Sequence, residues 1–321
     1  MVRLGIIGCG GMGGYHAKRF TELQQVELVG VCDVLQEKAT ALAEQLGVKA
    51  YTHHQDLLPA VDAVCICTPP RHRLDVMLDS ARAGKHVFAE KPLALNLAEA
   101  DLMVEAARQA GIKLMVGYVL RFTQPHKYLH EVFSSGELGR LVNCWTRRYM
   151  PCDMSNRWYG DQAQSGGVLL DFGSHDIDLL CWKGGEVRSV YAQFDRVRPT
   201  IRSDEHAQVL MTFQQGDMGT VDVSWSSHLS HFSFGVVGSE GTLISDAAGL
   251  VHKKLWNGEE QVIDTAALAK AQPPETIQEH FVRCIEQDSE PLVTGAQARS
   301  VLAVILAAQE SGRTDQVVPV R

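Results

Sequence analysis

Through its first 120 residues the chain repeats one pattern: a short apolar run, then a stretch of helical periodicity that ends in glycine. The runs are residues 2–7, 26–32, 63–67, 87–89 and 113–116, and the helical stretches over 36–46, 71–83 and 97–110 close at Gly47, Gly84 and Gly111. Runs this short, apolar throughout rather than alternating, are covered on both faces, and the intervening helices supply the cover. Glycine after the last helical residue marks a left-handed C-cap. The pattern predicts parallel strands in an α/β, doubly wound domain over residues 1–120.

A glycine motif sits where such a domain binds a dinucleotide. Gly8-x-Gly10-x-x-Gly13 follows the first run and opens a helix, and Asp33 lies 20 residues past Gly13 at the tip of the second run. Gly8 suits the tight turn, Gly10 a close approach of pyrophosphate, and Gly13 close packing of helix on strand. The helix N-terminus offers free N–H groups and partial positive charge to phosphate, so the turn, Gly11 and Met12 included, is a candidate phosphate cradle. Asp33 is placed to accept from the adenosine ribose hydroxyls and would repel a 2′-phosphate, so NAD is expected over NADP. Ligands of an open parallel sheet sit beyond the carboxyl ends of its strands. Thr68-Pro69, which stop the run at 63–67, and Glu90-Lys91 at the end of "HVFAEKPLAL" are therefore candidate cofactor contacts as well. Taken alone, Glu90-Lys91-Pro92 also reads as a charged turn that ends a strand.

From about residue 121 the texture changes. A helical stretch over 121–135 is followed by strand-like segments at 141–150, 187–197, 205–213, 219–225, 232–237, 241–245 and 250–256. In the segment at 219–225, Val221, Val223 and Trp225 alternate with Asp222 and Ser224, the period of a half-buried antiparallel strand. Two helices are expected at 276–286 and 296–309. The reading is an α+β domain over 121–321 with a large open, mostly antiparallel sheet, its C-terminal helix able to pack back on the first domain. An open sheet with an uncovered face predicts a homodimer or homotetramer. Within this domain Asp171 and His175 are four residues apart and fall on one helical face. A carboxylate beside an imidazole fixes the ring's orientation, the pairing a general base needs. Asp171 also fits as a helix cap at Gly173-Ser174, and His175 as a satisfied, partly buried histidine. Arg121, Arg157 and Trp158 are weaker candidates for substrate contact, and the polar loop at 151–166 follows no assignable pattern.

Composition narrows the partners. With 45% apolar and 21% charged residues the 321-residue chain is globular. A net charge of −8 without a Lys/Arg block argues against nucleic acid, and no apolar run reaches the length of a membrane span. The N-terminus lacks an h-region and cleavage site, which predicts no signal peptide. The eight cysteines form no CxxC pair and several lie in apolar runs, so a reduced, cytoplasmic protein is expected, with no disulfides and no metal.

Taken together, "GIIGCGGMGGYHAKRF", "CDVLQEKA", "CTPPRHR", "AGKHVFAEKPLAL", "GYVLRFTQPHKYLHEVFSSGELGRL", "SGGVLLDFGSHDIDLL" and "PLVTGAQARSVLAVILAAQES" resemble the Gfo/Idh/MocA oxidoreductase family, which includes inositol and sugar dehydrogenases. The likeness spans the whole chain. It implies a Rossmann domain, then a substrate domain whose open sheet mediates dimers or tetramers. It implies that Lys91 is catalytic, with a Lys91–Pro92 peptide expected cis, and that Asp171 and His175 match the Asp-x-x-x-His pair of members that oxidise inositols. The family often has a histidine five residues after the threonine of its Thr-Pro motif; here position 73 is Arg and the histidine is His72. The activity expected is NAD-dependent oxidation of a polyol or sugar hydroxyl. Two alternatives stay open: a glycosidase or epimerase that retains NAD and oxidises transiently, and a non-catalytic dinucleotide-binding regulator.

Overall fold

The computed structural model describes residues 1–155, 158–246 and 248–321. The chain divides into two compact units: Met1–Tyr118 with Glu275–Arg299, and Val119–Pro274 with Ser300–Arg321.

The first unit holds a six-stranded parallel sheet of β1 (Val2–Ile7), β2 (Val26–Cys32), β3 (Lys49–Tyr51), β4 (Ala63–Ile66), β5 (His86–Ala89) and β6 (Leu114–Val116). Its order is β3-β2-β1-β4-β5-β6, the doubly wound arrangement that the apolar runs predict. The helices between them are α1 (Gly11–Thr21), α2 (Gln36–Leu46), α3 (His54–Leu57), α4 (Leu74–Arg82) and α5 (Leu97–Ala110). Every residue of β4 and β6, and all of β5 but His86, is buried, so these strands are apolar on both faces. Gly47 ends α2 in the left-handed region at φ 67°. Asn96 caps α5, its side chain accepting from the Glu99 amide at 2.9 Å. The helix expected over 71–83 begins later: residues 70–72 form a 3₁₀ turn before α4, because Pro69 and Pro70 lack amide donors and fix φ.

The second unit carries a nine-stranded mixed sheet. In chain order its parts are α6 (Gln124–Ser134), β7 (Leu141–Tyr149), α7 (Gln162–Ser165), α8 (Gly167–Asp171), α9 (Ser174–Gly184), β8 (Val187–Asp195), β9 (His206–Phe213), β10 (Met218–Ser224), β11 (His231–Gly238), β12 (Gly241–Ser245), β13 (Leu250–Leu255) and β14 (Gln261–Asp264). The chain then runs through α10 (Thr265–Ala271), α11 (Ile277–Glu286), α12 (Gly295–Thr314) and β15 (Val318–Pro319). The strand order is β14-β13-β12-β11-β7-β10-β9-β8-β15. Only β7 and β10 pair in parallel; the other pairs are antiparallel. Helices α8 and α9 lie on β7, β9 and β10, over Cys144, Val209, Met211, Val221 and Val223, all buried.

Candidate active site

The ends of β2, β1, β4 and β5 are consecutive along one edge of the first unit's sheet. That edge therefore gathers Asp33, the glycine turn, Thr68-Pro69 and Glu90-Lys91, the residues that the sequence nominates separately. Gly8 takes φ 101°, and a Cβ there would stand 2.8–2.9 Å from the backbone of Cys67 and Thr68. A Cβ on Gly13 would drive into the Gly8 carbonyl oxygen, so helix α1 meets the turn at a distance only glycine permits. Gly10 and Gly11 have open space where a side chain would project. The Asp33 carboxylate spans the turn: Oδ2 accepts from Cys9 N at 2.8 Å and Oδ1 from Leu35 N at 2.9 Å. Each oxygen keeps a further lone pair for a ribose hydroxyl. Thr68 Oγ1 is buried without a hydrogen-bond partner. An orphaned hydroxyl at a strand end, open space above Gly10 and Gly11 and a half-used carboxylate fit a dinucleotide on this edge, its pyrophosphate at the α1 N-terminus.

Beneath Lys91 lies a polar network that the sequence reading leaves out. Glu90, 7% exposed, turns inward: Oε1 meets His16 Nε2 at 2.8 Å, and the other ring nitrogen of His16 meets Gln278 Nε2 at 2.9 Å. Glu90 Oε2 accepts from the Lys91 amide at 3.0 Å. Burial pushes the Glu90 carboxyl up, but the hydrogen bond and charge of His16, with Lys91 and Arg73 behind them, outweigh it and hold it below the usual range. Arg73, 1% exposed, donates through Nη2 to Thr68 O at 2.7 Å and through Nη1 to the carbonyls of Glu90 and Pro92. The Lys91–Pro92 peptide is cis. Lys91 itself is half-buried at the tip. His72 is exposed and accepts from Arg71 Nε at 2.9 Å. The position that sequence comparison would give to a histidine is thus filled by a buried guanidinium. His16, Arg73 and Gln278 carry no local signal beyond the "GGYH" and "PPRHR" runs in which two of them sit.

The eight cysteines are free thiols. The sulfurs of Cys65 and Cys67 and a nitrogen of His16 lie within 4.8 Å of one another. Both ring nitrogens of His16 are engaged by Glu90 and Gln278, and burial, then the Cys67 hydrogen bond, pushes the Cys65 thiol well above its usual range.

In the second unit Asp171 ends α8 and His175 stands in the first turn of α9. Phe172 and Gly173 keep right-handed helical dihedrals between them, so the two are one turn apart. Both are half-exposed, while Gly173, Ser174 and residues 176–180 around them are buried. The N-cap of α9 is Gly173, which makes no side-chain cap. Arg121 is 2% exposed and grips Asp178 with two bonds of 2.9 and 2.6 Å. Arg148 pairs with the buried Asp176 and donates to Phe172 O, tying the α8–α9 junction to β7. Arg157 and the side chain of Trp158 lie outside the described residues.

Comparison with known proteins agrees over both units. Residues 2–118 match the family described as an oxidoreductase family with an NAD-binding Rossmann fold, and residues 126–244 match the GFO/IDH/MocA C-terminal domain. The chain is 32% identical over 257 residues to myo-inositol 2-dehydrogenase of Thermotoga maritima, covering 76% of this chain and 75% of that protein. It is 28% identical over 333 residues to scyllo-inositol 2-dehydrogenase (NAD(+)) of Bacillus subtilis, covering 99% and 96%. An oxidoreductase from Agrobacterium radiobacter, crystallised with NAD+, L-tartaric acid and magnesium, shares the fold with a TM-score of 0.91 at 21% identity, over 99% of this chain and 98% of that one. The glycine turn, the Glu-Lys-Pro strand tip and the two matched domains establish this chain as a member of the Gfo/Idh/MocA family of NAD-dependent oxidoreductases.

Proposed function

We propose that the chain oxidises a secondary hydroxyl of a cyclic polyol or sugar, inositol-like or aldose, with Lys91 and the Asp171/His175 pair handling the proton. The observation that carries the reading is the seat of Lys91, two strands from the glycine turn and about 10 Å away across the sheet edge, on a tip whose backbone is held from below. The relatives named as inositol dehydrogenases support the substrate class. Bound NAD supplies the hydride acceptor. His175, oriented by Asp171, takes the hydroxyl proton, and Lys91 shares or relays it. Asp33, Thr68-Pro69 and the turn from Gly8 to Gly13, with Gly11 and Met12, hold the cofactor; Glu90 supports Lys91 from within.

A screen of inositols, aldoses and sugar acids with NAD, followed by absorbance of the reduced ring, identifies the substrate. Free NADH accumulating with product separates a dehydrogenase from an enzyme that oxidises transiently. Lys91→Ala is expected to lower kcat by at least about 10²-fold while NAD still binds; unchanged turnover removes Lys91 from the reaction. The open face of the nine-stranded sheet is assigned to a second copy of the chain, giving a homodimer or homotetramer.

A further inference from the structure

Arg73 is among the largest fully buried side chains, yet among the described residues it makes no ion pair. Its partners are four backbone carbonyls on two separate strand ends. Nη2 takes Thr68 O, at the end of β4, at 2.7 Å. Nη1 takes Glu90 O and Pro92 O, with Leu93 O at 3.4 Å, in the turn after β5. The carbonyls of Glu90 and Pro92 belong to the residues on either side of Lys91. A buried cation is costly unless its protons are matched; here the two Nη groups of the planar fork meet converging carbonyls while Nε is buried without a hydrogen-bond partner, and neither an ammonium nor an imidazole reproduces that fork. Burial pulls the guanidinium down to about 10, with the Glu90 charge opposing. Even so it stays protonated at neutral pH and the clamp stays intact.

We propose that Arg73 is a positioning residue: by gripping the backbone on both sides of Lys91 and joining it to the Thr68 turn, it fixes where the Lys91 amine leaves the sheet edge. This rests on the role given to Lys91 above. Displacement of a reacting group by about 1 Å costs on the order of 100-fold in rate, so a loose Lys91 is expected to impair turnover far more than cofactor binding.

The test uses the full chain with NAD, comparing wild type, Arg73→Ala, Arg73→Lys and Lys91→Ala on the polyol that the wild type oxidises fastest in the screen above. Both Arg73 variants are expected to lose about 10- to 100-fold in kcat with NAD affinity changed by less than about threefold. Amide hydrogen exchange is expected to quicken in residues 66–70 and 88–95 and to stay unchanged in β7–β11. Guanidinium ion added to Arg73→Ala restores part of the turnover and restores none in Lys91→Ala. If Arg73→Ala does not fold, Arg73→Lys, which keeps the charge and the stem, carries the same comparison. Wild-type kcat in Arg73→Lys, exchange at wild-type rates in 88–95, or NAD affinity falling in step with kcat overturns the proposal. Wild-type turnover in Lys91→Ala is a separate outcome, and it overturns the role of Lys91 itself.

Discussion

At the scale of single residues, Gly10 and Gly13 separate two demands that a glycine motif merges. A Cβ at Gly10 points into open space, whereas one at Gly13 collides with the Gly8 carbonyl. Gly10 is the N-cap of α1 at φ −76°, where replacing glycine by alanine costs roughly 0.5–1 kcal/mol. Gly10→Ala is therefore expected to keep its unfolding free energy within about 1 kcal/mol of wild type and to weaken NAD at least about tenfold, equivalent to about 1.4 kcal/mol. Gly13→Ala is expected to lose about 1–3 kcal/mol of stability as well, the ordinary cost of overpacking. Titration of each variant with NAD beside its unfolding curve checks both; equal behaviour of the two would refute the distinction. The glycine spacing and Asp33 were legible because turn geometry is local. His16, Arg73 and Gln278 were not: their roles arise from contacts 74, 17 and 262 residues away in sequence, and no local pattern encodes a buried polar partner.

At the scale of elements, the parallel strands were readable because burial on both faces leaves unbroken apolar runs. The strands that the sequence reading omits in the second unit, β14 and β15, are the two edges of the nine-stranded sheet. Edge strands are short and polar, and one here contains Pro319, so they lack the alternation that marks an inner strand. Arg121, nominated for substrate contact, forms a buried pair with Asp178 that ties the Val119–Phe122 turn to α9. Arg121→Met strands the carboxylate and is expected to cost about 3–5 kcal/mol in urea unfolding, most of it returned in Arg121→Met/Asp178→Leu. Burial raises the Asp178 carboxyl above its ordinary 3.8, with Arg121 opposing. The folded state therefore holds this proton more tightly than the unfolded chain, and stability falls as the pH rises through that window. Without Arg121 the window widens upward, so the deficit of the single variant is expected to grow between acid and neutral pH. A pH-independent deficit would mean that Arg121 contributes packing rather than charge.

At the scale of the molecule, the nine-stranded sheet has one face beneath helices and one without them. Cross-strand register puts Trp145, Leu210, Met218, Ile244 and Val262 on the same, uncovered face, and the last four are 39–56% exposed. Among the polar side chains on this face, Tyr149 Oη donates to Asp222 Oδ2 at 2.6 Å, and Arg147 Nε donates to the same oxygen at 3.0 Å. Covering this face therefore leaves the Arg147–Asp222–Tyr149 cluster paired. Nine strands about 4.8 Å apart, the central ones about 25 Å long, present on the order of 1,000 Å². A standard interface takes about 800 Å² per partner. A face so broad, with exposed apolar side chains spread across it, suits a second copy of itself, since a two-fold axis needs one self-complementary patch. Light scattering of the wild type is expected to give twice or four times the chain mass. Leu210→Glu with Ile244→Lys is expected to give single chains at micromolar concentration with the fold intact, because both side chains are exposed and surface changes cost within about 0.5 kcal/mol. A monomeric wild type would refute the pairing of this face, and an oligomer indifferent to both charges would place the interface elsewhere.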